Sequence, residues 1–131
     1  MRNPSDLISR TKTFSVDVVK LTQELPRTWS ANSLGNQLLR AGTSVGANYR
    51  AARRARSRKE FLSKLGIVEE EADESIFWLD LLSESGIVAV ERVAPLRKEA
   101  NELLSIVVAS IRTARMARPS VPHSAFRVPR S

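Results

Sequence analysis

The stretch NYRAARRARSRKEF, residues 48–61, carries six cations, Arg50, Arg53, Arg54, Arg56, Arg58 and Lys59, against one acid, Glu60. Side chains of this kind neutralise phosphate and pair with carboxylate, and arginine does so through a rigid two-pronged fork of donors. Widening the window to residues 40–64 adds Arg40 and Lys64 and no further acid. Residues 65–85 reverse the sign, with seven acids (Glu69, Glu70, Glu71, Asp73, Glu74, Asp80 and Glu84) and no base. The whole chain has a net charge of +7, and sixteen of its 21 basic residues are arginine. The excess positive charge predicts attraction to polyanions. The segregation offers a second outlet, pairing of the basic and acidic stretches within one chain or between copies in a ring.

Other chemistries lack their residues. The single histidine, His123, falls near the C-terminal end, and there is no cysteine. A Ser-His or Cys-His nucleophile, a thiolate metal site and a disulfide are therefore not expected. The acids at 69–74 are not joined by the Glu-x-x-His pairs of a di-iron bundle. GTSVG at 42–46 lacks the lysine of a phosphate loop and lies in a helical pattern. The expectation is a non-enzyme with no metal and no cofactor. A carboxylate-only site for a small-molecule reaction is the outlying alternative. The absence of cysteine fits a reducing, cytoplasmic setting. The first fifteen residues lack a secretory apolar run, and the most apolar stretch, 103–109, is too short to span a bilayer.

The elements that must position these charges follow a helical period, and no segment alternates as a strand. A chain of 131 residues suits one domain. A first helix is predicted from about Ser5 to Glu24, with Leu7, Thr11, Phe14, Val18, Leu21 and Leu25 on one side and Pro26 beyond its end. A second runs from about Asn32 to Arg54, capped by Ser30 or Ser33, with a seam of Leu34, Leu38, Ala41, Val45, Asn48 and Ala52. Gly42 and Gly46 leave a flat strip on it, read as a place where another helix packs closely. A third runs from about Ser57 to Ser85, begun by a Ser57–Glu60 capping box and stopped near Gly86. A fourth runs from about Val90 to Ala114 with Leu96, Ala100, Leu103, Leu104, Val107, Val108 and Ile111 as its apolar side. Short loops then give an all-α, antiparallel up-down-up-down four-helix bundle over residues 1–115. Residues 116–131, with three prolines, three arginines and no period, read as a mobile basic tail.

On a wheel of about 100° per residue, Phe61, Leu65, Val68, Ala72, Ile76, Leu79 and Leu82 share one face of the third helix. Ile67, Phe77, Trp78 and Leu81 fall on the other side, with Glu74 beside them. A lone bundle needs one apolar face per helix, so the second face predicts self-association. On the second helix, Arg40, Arg50, Arg53 and Arg54 lie opposite the seam and are expected to face solvent.

The segments QLLRAGTSVGANYRAA, RKEFLSKLGI and EEADESIFWLDLL, in this order and spacing, resemble the four-helix-bundle proteins encoded by intervening sequences of bacterial 23S rRNA genes. The likeness is strongest over residues 42–82 and extends from about Asp6 to Ala114. Where many members carry a Glu after the Asn-aromatic pair, this chain has Arg50, Ala51 and Ala52. The resemblance implies an up-down bundle that assembles as a ring-shaped homopentamer. It also implies kinship with the pentameric accessory proteins of diversity-generating retroelements, which bind nucleic acid and a reverse transcriptase through a basic surface.

Two functions of different kind fit these features. In the first, the chain binds RNA or DNA, with Arg40, Arg50, Arg53, Arg54, Arg56, Arg58, Lys59, Lys64, Arg112 and Arg115, and Arg118 beyond them, neutralising phosphate. No aromatic residue interleaves with these cations, so base reading is expected to be weak. In the second, the ring is a scaffold whose basic surface docks an acidic protein.

Overall fold

The computed structural model describes residues 5–116, which form four helices and, among these residues, no strand. They are α1 (Ser5–Gln23), α2 (Trp29–Arg53), α3 (Arg58–Glu84) and α4 (Val90–Met116). The expected tail, residues 116–131, lies outside the described residues except for Met116, which is the last residue of α4. No helix among them is long and apolar enough to cross a membrane.

Local chemistry sets each boundary. The cap of α2 is Thr28, not Ser30 or Ser33. Its extended backbone (φ −119°, ψ 161°) lets the hydroxyl accept from the Ala31 amide at 3.2 Å, so the helix begins three residues earlier than its apolar pattern suggests. Ser57 caps α3 as expected, accepting from the Glu60 amide at 3.0 Å. Gly86 ends α3 at φ +80°, where glycine meets no Cβ penalty, and the Ile87 amide turns back to the Leu82 carbonyl at 3.1 Å.

α2 packs between α1 and α3, α4 packs on α3, and a lesser contact closes α4 onto α1. Ion pairs strengthen that closure. Arg10 bonds Glu99 at 2.9 and 2.5 Å and Glu102 at 3.0 Å, and Arg92 grips Glu24 at 2.9 and 2.8 Å. These hydrogen bonds hold both guanidinium groups above their ordinary pKa and the Glu24 carboxyl below its own.

The buried positions follow a strict four-three spacing. On α1 they are Leu7, Thr11, Phe14, Val18 and Leu21. On α3 they are Phe61, Leu65, Val68, Ala72, Ser75, Leu79 and Leu82. This is the 3.5-residue repeat that keeps one stripe of each helix against its neighbours. It corrects three expectations. Ser75, not Ile76, holds the α3 core position, its hydroxyl donating to the Glu71 carbonyl at 2.8 Å, while Ile76 is half-buried beside it. The α2 seam runs through Ala31, Gly35, Leu38, Gly42, Val45, Tyr49 and Ala52, with Ala41 buried beside it as expected, and Leu34 and Asn48 are only half-buried. Arg53 does not face solvent: with Tyr49 turned inward, the residue four places on follows it and is only 5% exposed.

Glycine explains the rotation of α2. A β-carbon at Gly35 would stand 2.7 Å from Leu25, and one at Gly42 would stand 2.7 Å from both γ-carbons of Val18. The bare side of α2 is therefore the side that α1 presses against, as the glycine strip predicts. At Gly46 the Ser15 hydroxyl reaches the helix itself, donating to the Gly42 carbonyl at 2.8 Å and accepting from the Gly46 amide at 3.2 Å. Those are the two groups that close one turn of a regular helix.

Candidate nucleic-acid interface

The ten candidate cations fall into three groups, with Arg54 shared between two of them. Arg40 is engaged: it bonds Glu74 closely and Glu71 at 3.5 Å, joining the basic stretch of α2 to the acidic stretch of α3. The expected pairing between the two stretches is thus present inside one chain.

A second group gathers where the α2–α3 turn meets the end of α4. Arg54 closes α2, Arg56 stands in the turn, and Lys59 lies in the first turn of α3; all three are exposed. Arg58, half-buried, donates to the Arg115 carbonyl at 2.7 Å and so ties the start of α3 to the last turn of α4. A cation there also suits the negative end of the α4 dipole. Arg115 is exposed on that last turn and Arg112 just before it. Lys64 is half-buried one turn further along α3. Arg118 lies outside the described residues.

The third group lines a cleft of about 710 Å³ on the α1–α2 side. Arg50, Arg53 and Arg54 contribute from α2 and its cap, and Lys12, absent from the sequence expectation, contributes from α1. Ile8, Thr11, Ser15, Thr43, Gly46 and Ala47 complete the lining, which contains no acid. Its hydroxyls are already engaged as donors. Thr11 gives its proton to the Leu7 carbonyl at 2.6 Å, Thr43 to Leu39 at 2.7 Å and Ser15 to Gly42. Nη1 of Arg53 has no hydrogen-bond partner, nor has the buried hydroxyl of Tyr49. Burial pushes the Tyr49 phenol above its ordinary pKa, and Arg53 beside it pulls part of the way back.

The second apolar face of α3 is less separate from the core than its wheel suggests. Phe77 stands free at 54% exposure, but Trp78 is half-buried against the core, and Ile67 and Leu81 are half-buried as well. Trp78 donates to Glu74 at 3.2 Å and meets Phe77 edge to face, with ring centroids 5.0 Å apart. Glu74 therefore links this aromatic pair to Arg40. A further aromatic, Trp29, is 91% exposed in the first turn of α2. It escapes the wheel because it precedes the apolar pattern, and the PRT run before it is the signal that the helix starts there.

The fold recurs in a known structure. No curated protein matches the chain. The crystal structure of a protein with unknown function from the S23 ribosomal protein family of Bacteroides thetaiotaomicron superposes with a TM-score of 0.76 at 31% identity, covering 81% of this chain and 98% of that one. The family model described as 23S rRNA-intervening sequence protein matches residues 5–109, from the start of α1 well into α4. The chain belongs to the 23S rRNA-intervening sequence protein family.

Proposed function

We propose that this chain is a non-enzymatic nucleic-acid-binding protein, working in the cytoplasm as a homo-oligomeric ring of antiparallel, up-down-up-down bundles. One observation carries the proposal. Among the described residues, Arg50, Arg54, Arg56, Lys59, Arg112 and Arg115 make no ion pair within the chain, whereas Arg10, Arg40, Arg92 and Arg97 are all matched to carboxylates. The positive charge left over is concentrated around the α2–α3 turn, the end of α4 and the adjoining cleft. It serves phosphate neutralisation, not base reading. The cross-helix pairs support the antiparallel order, since Arg10 early in α1 meets Glu99 and Glu24 beyond its end meets Arg92. A pentamer, the assembly implied by the resemblance, would repeat each cation five times and let modest contacts add. RNA machinery or a reverse transcriptase is the partner that kinship implies.

The test is the salt dependence of binding to a short RNA and a short DNA. The log–log slope should be steep between about 50 and 200 mM salt and fall by about one for each phosphate contact removed, as in Arg54→Ala with Arg56→Ala. Flat affinity across that range would sink the proposal. Light scattering at micromolar protein tests the ring, with Phe77→Ser expected to loosen it; a monomeric wild type would rule it out. The same unpaired cations, with Trp29 91% exposed as a further contact, support a second reading, a scaffold whose basic surface docks an acidic protein. That reading gains if the purified chain carries no nucleic acid and its partners survive nuclease treatment.

A further inference from the structure

The cleft on the α1–α2 side holds a charge that the fold leaves unbalanced. Arg53 lines it, is 5% exposed, and has no hydrogen-bond partner for Nη1. A guanidinium withdrawn from water without an anion beside it is strongly disfavoured. No hydroxyl of the lining is an acceptor for Nη1, and the protons of Thr11, Ser15 and Thr43 are given to helix carbonyls. The donors left to face the cleft are cationic, from Lys12, Arg50, Arg53 and Arg54, and no acid enters its lining. The space of about 710 Å³ is in the range of small-molecule sites and far exceeds what one small ion fills. Ile8, partly exposed, and Ala47 give it an apolar wall.

Charge decides which anion suits it. A phosphodiester carries one negative charge, whereas a phosphomonoester carries about 1.5 to 2 near neutral pH and presents three acceptor oxygens. Four cations with no competing carboxylate match the monoester better, and arginine matches its geometry through two-pronged contacts.

We propose that the α1–α2 cleft is a phosphomonoester site, in which Arg53 anchors the phosphoryl group, Lys12, Arg50 and Arg54 surround it, and Ile8 with Ala47 meets the organic part. Two sources share this chemistry: the 5′-phosphate at the end of a nucleic-acid strand and a free nucleoside monophosphate. The site stands on its own geometry, and only the strand as source rests on the nucleic-acid reading above.

The test uses the full chain in phosphate-free buffer. In one arm, calorimetry compares AMP with adenosine, and AMP should bind at least about tenfold more tightly, a factor worth one charge-assisted contact. In the other, anisotropy compares one RNA oligomer bearing a 5′-phosphate with the same oligomer bearing a 5′-hydroxyl. A tenfold preference for the phosphorylated end identifies the strand as a source. Arg53→Gln should abolish both preferences. Because Arg53 is buried, circular dichroism checks that variant, and exposed Arg50→Gln, expected to reduce the preferences several-fold, repeats the test without risk to folding. AMP binding that depends on Arg53, with both oligomers bound equally, keeps the site and assigns it to free nucleotide. The same AMP result with no oligomer binding keeps the site and removes the nucleic-acid reading. Equal affinity for phosphorylated and unphosphorylated ligands in both arms overturns the proposal. So does an Arg53→Gln variant that loses its oligomeric state without changing either preference, because the cleft would then belong to a subunit contact.

Discussion

Where α2 meets α1, a methyl group added at Gly42 would lie 2.7 Å from both γ-carbons of Val18; on α3, the same methyl at Gly66 would meet nothing within 4 Å. Both residues sit inside long helices, where glycine lowers stability by about 1 kcal/mol relative to alanine. On α2 that loss is the condition for close approach, because the α1 side chains rest on the bare backbone. On α3 no neighbour requires it. A glycine in a helix is thus informative only together with what stands opposite, and the α1–α2 seam is the part of the bundle whose packing leaves least room for change.

Alanine substitution separates the two places most widely. Gly42→Ala should destabilise the chain by about 1–3 kcal/mol, since the crowded atoms are the β- and γ-carbons of a stiff β-branched side chain that cannot swing aside. For a domain of this size that is a fall of about 3–5 °C in Tm per kcal/mol. Val18→Ala should recover part of the loss in the Gly42→Ala background while lowering stability in the wild type. If Gly42→Ala melts at the wild-type temperature, the seam is looser than 2.7 Å implies.

The next effect lies deeper on the same side. The Tyr49 hydroxyl is buried and makes no hydrogen bond of good geometry, with only the Arg53 guanidinium beside it, so Tyr49→Phe should stabilise by up to about 1 kcal/mol. Tyr49 is the only tyrosine, so absorbance near 295 nm follows its ionisation alone. The midpoint should lie above the ordinary value of about 10, and Arg53→Gln should raise it further, because Arg53 favours the phenolate. Between the ordinary and the raised value the unfolded chain has lost a proton that the folded chain retains. Wild-type stability should therefore be complete below about pH 10 and fall as pH rises through the folded value, and Tyr49→Phe should lack that component of the fall. Gly66→Ala supplies the opposite sign to Gly42→Ala: a gain of up to about 1 kcal/mol, read as a higher denaturant midpoint with an unchanged slope.

The same contrast accounts for how much was legible in the sequence. α1 could be read in full because its heptad positions carry Leu7, Phe14, Val18 and Leu21, with Thr11 as the only polar member. The four helices, the Ser57 cap and the Gly86 stop follow from residues whose local chemistry is strong. On α2 the repeat passes through Gly35 and Gly42, and on α3 through Ser75, so tracing apolar residues slides one place, to Leu34 and Ile76. Periodicity of position is the firmer signal: glycines seven apart, extended to Tyr49, would have placed Arg53 at the core edge. The cleft was half legible. Its α2 cations stand in the basic run, but Lys12 comes from another helix, and no local pattern announces that two surfaces will meet. Nor does a sequence reveal which arginine a carboxylate elsewhere has already taken.

That last point yields the smallest effect. Arg40 belongs to the basic stretch by sequence, yet Glu71 and Glu74 hold it, and Glu74 also accepts from Trp78. Its side chain is half-exposed, so the pair is screened by solvent, and Arg40→Gln should lower stability by less than about 1 kcal/mol, with the difference shrinking as salt rises. If unpaired cations set the affinity for nucleic acid, Arg40→Gln should also change the salt slope less than Arg54→Gln does, because removing a guanidinium already neutralised by two acids removes little phosphate contact. Equal slopes for the two variants would mean that the Arg40 pair opens on binding, and the division between engaged and free cations would then be a property of the free protein alone.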